Sequence, residues 1–113
     1  MHELSIAMEI ITLVENEIAK HNLRGVAEIN IRLGALTGVD PEALSFGFEA
    51  ATIDTPLAGT KLVIKRIPVK GKCRSCEQAF SVNDFIFRCP YCDSADIEVI
   101  QGEELNIDYL VET

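Results

Sequence analysis

The spacing of apolar residues predicts a helix near the start of the chain. Between Leu4 and Ala19 these residues recur at intervals of three and four, which is the repeat of one helix face. The expected face comprises Leu4, Ala7, Met8, Ile11, Val14 and Ile18, widened by Ile6, Ile10 and Leu13. Lys20 and Asn22 suit the C-terminal end, because the helix dipole favours a cation there and asparagine tolerates a left-handed turn.

Three later segments alternate between apolar and polar residues, which predicts strands. The first runs from Ala27 to Leu33 and lies between two glycines. The second runs from Lys61 to Ile67 and is closed by a proline, and the third runs from Leu105 to Val111. Because the third strand is too short to stand alone, we expect it to return to the sheet formed by the first two.

A second helix is predicted to begin at Asp40-Pro41, an N-cap residue followed by proline at the first helical position. The expected fold class is therefore α+β, with two helices packed on a three-stranded sheet and a small four-cysteine, zinc-ribbon-like domain inserted into it. The predicted domains are a discontinuous α+β domain, residues 1–68 and 102–113, and a zinc domain, residues 69–101.

Four cysteines carry the clearest chemical signal in the chain. They form two CxxC pairs, Cys73/Cys76 and Cys89/Cys92, with twelve residues between the pairs. Two such turns can direct four thiolates at one centre, and tetrahedral Zn²⁺ accepts that set at about 2.3 Å. A dithiol redox site would need only one CxxC, and disulfides are not expected in a reducing compartment. We therefore expect a structural zinc site without an open coordination position.

Composition and charge exclude some classes of function. The chain has 113 residues and a formal net charge of −8, which repels the phosphate backbone of nucleic acids. No apolar stretch reaches the roughly 18 residues that cross a bilayer, so no membrane association is expected. Without a recognisable signal peptide, the expected location is the cytoplasm. Lys70, Lys72, Arg74 and Arg88 lie near the cysteine pairs, where they form a local basic patch or simply keep a small lobe soluble.

The first residues, Met1-His2-Glu3, offer a second candidate metal site. A histidine at position two can present its imidazole, its deprotonated amide and the terminal amine of Met1 in one plane. Ni²⁺ and Cu²⁺ accept planar nitrogen ligands, whereas Zn²⁺ does not prefer them. Many chains begin with Met-His, so an exposed histidine without a function is the competing interpretation.

Several segments together resemble the HypA/HybF family of hydrogenase nickel-incorporation proteins. They are Met1 to Ser5, Gly34 to Leu44, the four-cysteine spacing and Gly102 to Ile107, so the resemblance runs from end to end. It implies a nickel metallochaperone, not an enzyme, with structural zinc and transient Ni²⁺ cargo. It implies a nickel-handling GTPase and the large subunit of nickel–iron hydrogenase as partners, and in some organisms urease as a further recipient of nickel.

The resemblance also assigns candidate residues. It places nickel ligation on His2, with backbone nitrogens at Met1 and His2, and it places nickel handling or partner contact on Glu3. Asp40 matches a further proposed nickel-site residue, although its role as an N-cap explains it fully. Some family members have a histidine in the zinc-domain linker, but no histidine follows His21 here. The fourth nickel ligand stays open between water, Glu3 and a second copy of the chain, which keeps a homodimer among the expected partners.

Functions of other classes fit the sequence less well than a nickel metallochaperone. An enzyme is disfavoured because a four-sulfur site is closed, no histidine adjoins a cysteine nucleophile, and no glycine-rich phosphate loop is present. The main alternative is a zinc-ribbon adaptor that binds a protein or nucleic-acid partner. The acidic composition disfavours a nucleic-acid partner, so no nucleic acid is expected.

Overall fold

The computed structural model describes residues 2–113. They form helices α1 (Glu3–His21) and α2 (Pro41–Thr52) and six strands. The strands are β1 (Val26–Gly34), β2 (Lys61–Ile67), β3 (Lys70–Cys73), β4 (Ala79–Ser81), β5 (Ile97–Gln101) and β6 (Leu105–Glu112). Two helices and a three-stranded sheet with an inserted cysteine-bearing segment confirm the predicted fold class.

Helix α1 ends where the sequence predicts. Asn22 adopts the left-handed conformation at φ 51° and ψ 45°, and its amide donates to the carbonyl of Ile18. Lys20 and His21 occupy the last turn, where the negative end of the helix dipole favours basic side chains. The asparagine therefore terminates the helix at little conformational cost.

The buried face of α1 is narrower than its apolar stripe. Ala7, Ile10 and Val14 are buried, whereas Leu4 and Met8 are 55% and 57% exposed. Leu4 and Met8 belong to the apolar stripe of the predicted helix, but the neighbouring elements cover only one part of that stripe. Part of the apolar surface of α1 is therefore left at the molecular surface.

Helix α2 begins with the predicted cap. The Asp40 carboxylate accepts hydrogen bonds from the amides of Glu42 at 2.9 Å and Ala43 at 3.5 Å, and Pro41 occupies the first turn. These bonds satisfy donors that the start of a helix would otherwise leave without partners. Leu44 and Phe48 are then buried on the inner face of α2.

The first sheet has the strand order β2-β1-β6. Its central strand, β1, buries Ile29 and Ile31. The Thr113 amide, just after β6, donates to the carbonyl of Gly25, just before β1, at 3.2 Å. The sheet order confirms the prediction that the last strand returns to the first sheet.

The second sheet has the order β4-β3-β5, and both neighbours of β3 are antiparallel to it. None of these three strands is among those that the alternation of apolar and polar residues predicts, so the structure adds them. A 3-10 turn, Ala35–Thr37, is also unpredicted. Ala35 and Leu36 pack against the buried cluster of this region, which consists of Val69, Cys73, Phe80, Val82 and Cys89.

The chain packs as two compact units. The first, here called the helical unit, comprises the described residues up to Arg32 together with Gly38–Lys65 and Asn106–Thr113. The second, the cysteine unit, comprises Leu33–Thr37 and Arg66–Leu105. The predicted functional domains stay a prediction. No helix among residues 2–113 combines the length and apolar character needed to span a membrane.

Candidate metal centres

The four cysteines converge on one point of the cysteine unit. Their sulfur atoms all lie within 4.8 Å of one another. The sulfurs of Cys73 and Cys92 are 3.5 Å apart, and those of Cys76 and Cys89 are 3.6 Å apart. A metal bound to four sulfurs at about 2.3 Å implies edges of about 3.8 Å, whereas a disulfide needs about 2.05 Å. The arrangement therefore fits a tetrahedral metal site, and all four cysteines are free.

Matching backbone turns hold the two cysteine pairs. The carbonyl of Cys73 accepts from the Glu77 amide at 2.8 Å, and that of Cys89 accepts from the Asp93 amide at 2.9 Å. Glu77 and Asp93 have φ of 64° and 65°, a left-handed conformation that aspartate tolerates better than most residues. The local sequence thus builds the same turn twice.

Backbone amides also point at the sulfurs. The Cys76 amide donates to Cys73 Sγ at 3.5 Å, and the amides of Tyr91 and Cys92 donate to Cys89 Sγ at 3.4 Å. The bond from Cys76 lowers the pKa of Cys73 to about 6. The pKa of Cys92 is subject to opposing effects. The hydrogen bond from the Ser94 amide lowers it, but the hydrogen bond to Cys73 and burial together have the larger effect, so the pKa rises to about 12. Four clustered sulfur donors fit a Zn²⁺ ion, which cysteine sulfurs bind in tetrahedral structural sites.

The predicted nickel residue His2 lies at the surface. It is exposed and occupies the N-cap of α1, and its side chain makes no capping hydrogen bond. Its carbonyl accepts the first helical bond, from Ile6 at 3.1 Å. Met1, whose amine is part of the predicted ligand set, lies outside the described residues. The imidazole at position two is thus not used to cap the helix.

Glu3 and Asp40 join the starts of the two helices. Glu3 Oε2 accepts a hydrogen bond from the Asp40 amide at 3.1 Å. That bond lowers the pKa of the Glu3 carboxyl. The Asp40 carboxylate is directed to the α2 amides, as described above. Sequence reasoning singled out both residues but missed their contact, because 37 positions separate them and no local pattern signals the bond.

Among residues 2–113, the four cysteines are the group of metal-binding side chains that the fold assembles. His2, Glu3 and Asp40 do not form a comparable three-donor cluster in this part of the chain.

Two of the basic residues near the cysteines are paired. Arg74 lies 3.0 Å from Asp96, and Arg88 lies 3.1 Å from Asp93. These pairs reduce the local positive charge that a nucleic-acid interface would need.

Comparison with known proteins assigns a family to this arrangement. The family model for HypA, described as hydrogenase/urease nickel incorporation, metallochaperone, matches residues 1–111. The hydrogenase maturation factor HypA of Desulfitobacterium hafniense (strain DSM 10664 / DCB-2) is 38% identical over 110 residues, which cover 97% of this chain and 96% of that protein. The factor of the same name from Solidesulfovibrio magneticus is 41% identical over 114 residues. The match covers 97% of this chain and 97% of that protein.

The fold is likewise similar to solved structures. A solution structure of HypA protein aligns with a TM-score of 0.74 at 23% identity and covers 100% of this chain and 97% of its own. The solution structure of the Ni metallochaperone HypA from Helicobacter pylori aligns with a TM-score of 0.68 at 23% identity, covering 99% and 97%. At this identity the two structures support the fold, while the family model and the relatives confirm the resemblance seen in the sequence. The chain therefore belongs to the HypA family of hydrogenase/urease nickel-incorporation metallochaperones.

Proposed function

We propose that this protein binds Ni²⁺ at its N-terminus and delivers it for the maturation of nickel–iron hydrogenase, with urease as a further recipient. The observation that carries the proposal is the exposed His2 imidazole at the start of α1, which no capping hydrogen bond occupies. In a protein whose chain starts at Met1, the imidazole, the His2 amide and the terminal amine supply three nitrogens in one plane. Glu3 lies next to this set and carries negative charge. Exposure suits a cargo site, because a partner must reach the metal.

The second part of the proposal gives the cysteine unit a structural role. Cys73, Cys76, Cys89 and Cys92 would hold Zn²⁺, whose tetrahedral preference their sulfur spacing matches. Four sulfur ligands leave no position for substrate, so the centre would stabilise the fold and not act catalytically. On this basis the protein is a carrier and not an enzyme.

The proposed division of labour follows the predicted domains. Residues 1–68 and 102–113 would handle nickel, and residues 69–101 would bind zinc. The proposed partners are a nickel-handling GTPase and the hydrogenase large subunit, in the cytoplasm. A second copy of the chain stays a candidate for the fourth nickel ligand. An adaptor for nucleic acid is less well supported, because Arg74 and Arg88 are engaged with acidic residues.

Isothermal titration with Ni²⁺ tests the nickel site. We expect His2→Ala to weaken binding by at least about tenfold, since even changes outside the ligand set typically cost 10–100-fold. A few residues added before Met1 should have the same effect, because they convert the amine into an amide. His21→Ala is the matched control, since the imidazole of His21 instead lies 3.0 Å from Glu17 at the other end of α1.

Equal nickel affinity in all these forms would place the metal elsewhere and refute the mechanism. Cu²⁺ should bind the intact terminus more tightly than Ni²⁺, as the Irving–Williams order requires. Zinc content, measured by elemental analysis, should stay the same in every form. A DNA-binding assay at several salt concentrations tests the adaptor alternative. That alternative requires specific binding to DNA.

A further inference from the structure

An open groove lies between the two helices beside His2. It has a volume of about 440 Å³. Its lining includes the small side chains of Ser5, Ala43 and Ala50, the backbone of Gly47, and two large apolar side chains, Leu4 and Phe46. A Cβ atom on Gly47 would lie 3.5 Å from Leu4 Cα, an ordinary contact distance, so α1 and α2 lie close together here. His2 and Glu3 form the end of the groove nearest the proposed nickel site.

The large side chains of the groove are exposed although they are apolar. Phe46 is 73% exposed, and Leu4 is 55% exposed. Phe46 lies two residues from Phe48, which is buried, so α2 places one aromatic ring in the core and one in solvent. Large apolar side chains that rim a concave surface are typical of protein contact sites.

The helices that form the groove carry only one sign of charge over most of their length. Residues 2–19 and 38–60 contain no lysine or arginine. They contain eight acidic residues, namely Glu3, Glu9, Glu15, Glu17, Asp40, Glu42, Glu49 and Asp54. Such a surface attracts cations and positively charged proteins, and it disfavours pairing with a second copy of the same acidic surface.

We propose that this groove, here called the Phe46 groove, is the docking site for the protein that exchanges nickel with the terminus. The occupant is a partner surface that inserts an apolar side chain between Leu4 and Phe46 and surrounds it with lysine or arginine. The apolar contact provides the affinity, and the acidic helices provide orientation and association rate. Because the groove adjoins His2, docking brings the partner's metal ligands next to the cargo. The inference rests on the proposed nickel-delivery function.

Binding of the purified nickel-handling GTPase of the same organism to the immobilised full-length chain tests the proposal. We expect Phe46→Ser to weaken binding by at least about tenfold. Ala50→Leu, which fills the groove with a good helix former, should have a similar effect. Ile53→Ser is the matched control, because Ile53 is 66% exposed at the end of α2 and does not line the groove. Binding should also weaken as NaCl is raised, because salt screens the acidic helices.

Nickel titration of the same variants separates this inference from the proposed function. Unchanged nickel affinity together with lost GTPase binding in Phe46→Ser and Ala50→Leu supports the groove. Wild-type affinity for the GTPase in both variants, an equal loss in Ile53→Ser, or no binding by the wild type overturns it. Self-association that Phe46→Ser abolishes also overturns it, since the occupant would then be a second copy. If the wild type docks through the groove but binds no nickel, the docking site stands and the nickel function fails.

Discussion

The helical unit and the cysteine unit achieve order by different means. The helical unit buries a broad set of apolar side chains from both helices and the first sheet, including Ala7, Val14, Ile29, Leu44 and Phe48. The buried cluster of the cysteine unit is small, and two of its five members are cysteines. Segments this short rarely bury enough apolar area to fold without a metal or a disulfide. The difference supports the proposal that a metal bound by the four cysteines would stabilise the cysteine unit, whereas the helical unit has a core of its own.

The same contrast applies to the two candidate metal centres. The cysteine site brings together four side chains from two turns, each of which is closed by a backbone hydrogen bond. The proposed N-terminal site would use one imidazole and backbone nitrogens at the exposed start of a helix. A closed, well-supported site suits permanent binding, whereas an exposed site with few ligands suits release. The two units therefore fit a division between structure and delivery.

Loss of one cysteine ligand is expected to have the largest effect on this comparison. Structural Zn²⁺ binding can contribute about 10–16 kcal/mol to the folding of a small domain. Cys89→Ser should therefore lower zinc content and remove hydrogen-exchange protection from residues 69–101, while the two helices stay protected. Ser75→Ala, which lies in the first cysteine turn and keeps all four sulfurs, is the matched control. Uniform loss of protection along the chain would show that the two units do not differ in this way.

A methyl group at Gly34 should have the next largest effect. A Cβ atom there would overlap the backbone carbonyl of Gly102, within the cysteine unit. Since neither backbone segment can rotate away as a side chain would, we expect Gly34→Ala to lower the free energy of unfolding by about 3 kcal/mol. Urea unfolding measures the change. Gly38→Ala is the control: Gly38 has a φ of 73° and no neighbour within 4 Å, so only about 1 kcal/mol of backbone strain is expected. Equal losses would mean that the overlap has no cost.

Substitution of Asp40 separates helix capping from nickel binding. Asp40→Ala removes the acceptor of the Glu42 and Ala43 amides and should cost about 1 kcal/mol, measured by thermal unfolding. Asp40→Ser keeps a capping oxygen but lacks the carboxylate, so its stability should stay close to that of the wild type. Because the Asp40 carboxylate already accepts two amide bonds, we expect nickel affinity to be unchanged in both. A parallel drop in nickel affinity would instead make Asp40 a ligand.

The smallest expected effect is a gain in stability within the helical unit. Gly47 lies in the interior of α2, where alanine is favoured over glycine by about 0.5–1 kcal/mol. The added Cβ would lie 3.5 Å from Leu4 Cα and 3.8 Å from Ala7 Cβ, which are ordinary contacts. Gly47→Ala should therefore raise the thermal midpoint slightly. A lowered midpoint would show that α1 and α2 pack too closely to admit one methyl group.

Local patterns in the sequence were sufficient for most element boundaries and for the cysteine site. Strand β2 spans Lys61–Ile67, as alternation predicts, and Asn22 and Asp40 end and begin helices through bonds to residues a few positions away. The cysteine spacing works in the same way, because each CxxC pair is held by its own turn. Such features depend on near neighbours in the chain, so a single sequence contains the necessary information.

Tertiary structure decided which apolar residues are buried and which polar groups meet. The apolar repeat in α1 could not separate the buried Ala7 and Ile10 from the exposed Leu4 and Met8, because that choice depends on the elements packed against the helix. The bond from the Asp40 amide to Glu3 and the groove beside Phe46 likewise join segments some 40 residues apart. Sequence therefore determined the local turns and the metal-binding chemistry of the cysteines. Packing of distant segments alone determined the surface around His2.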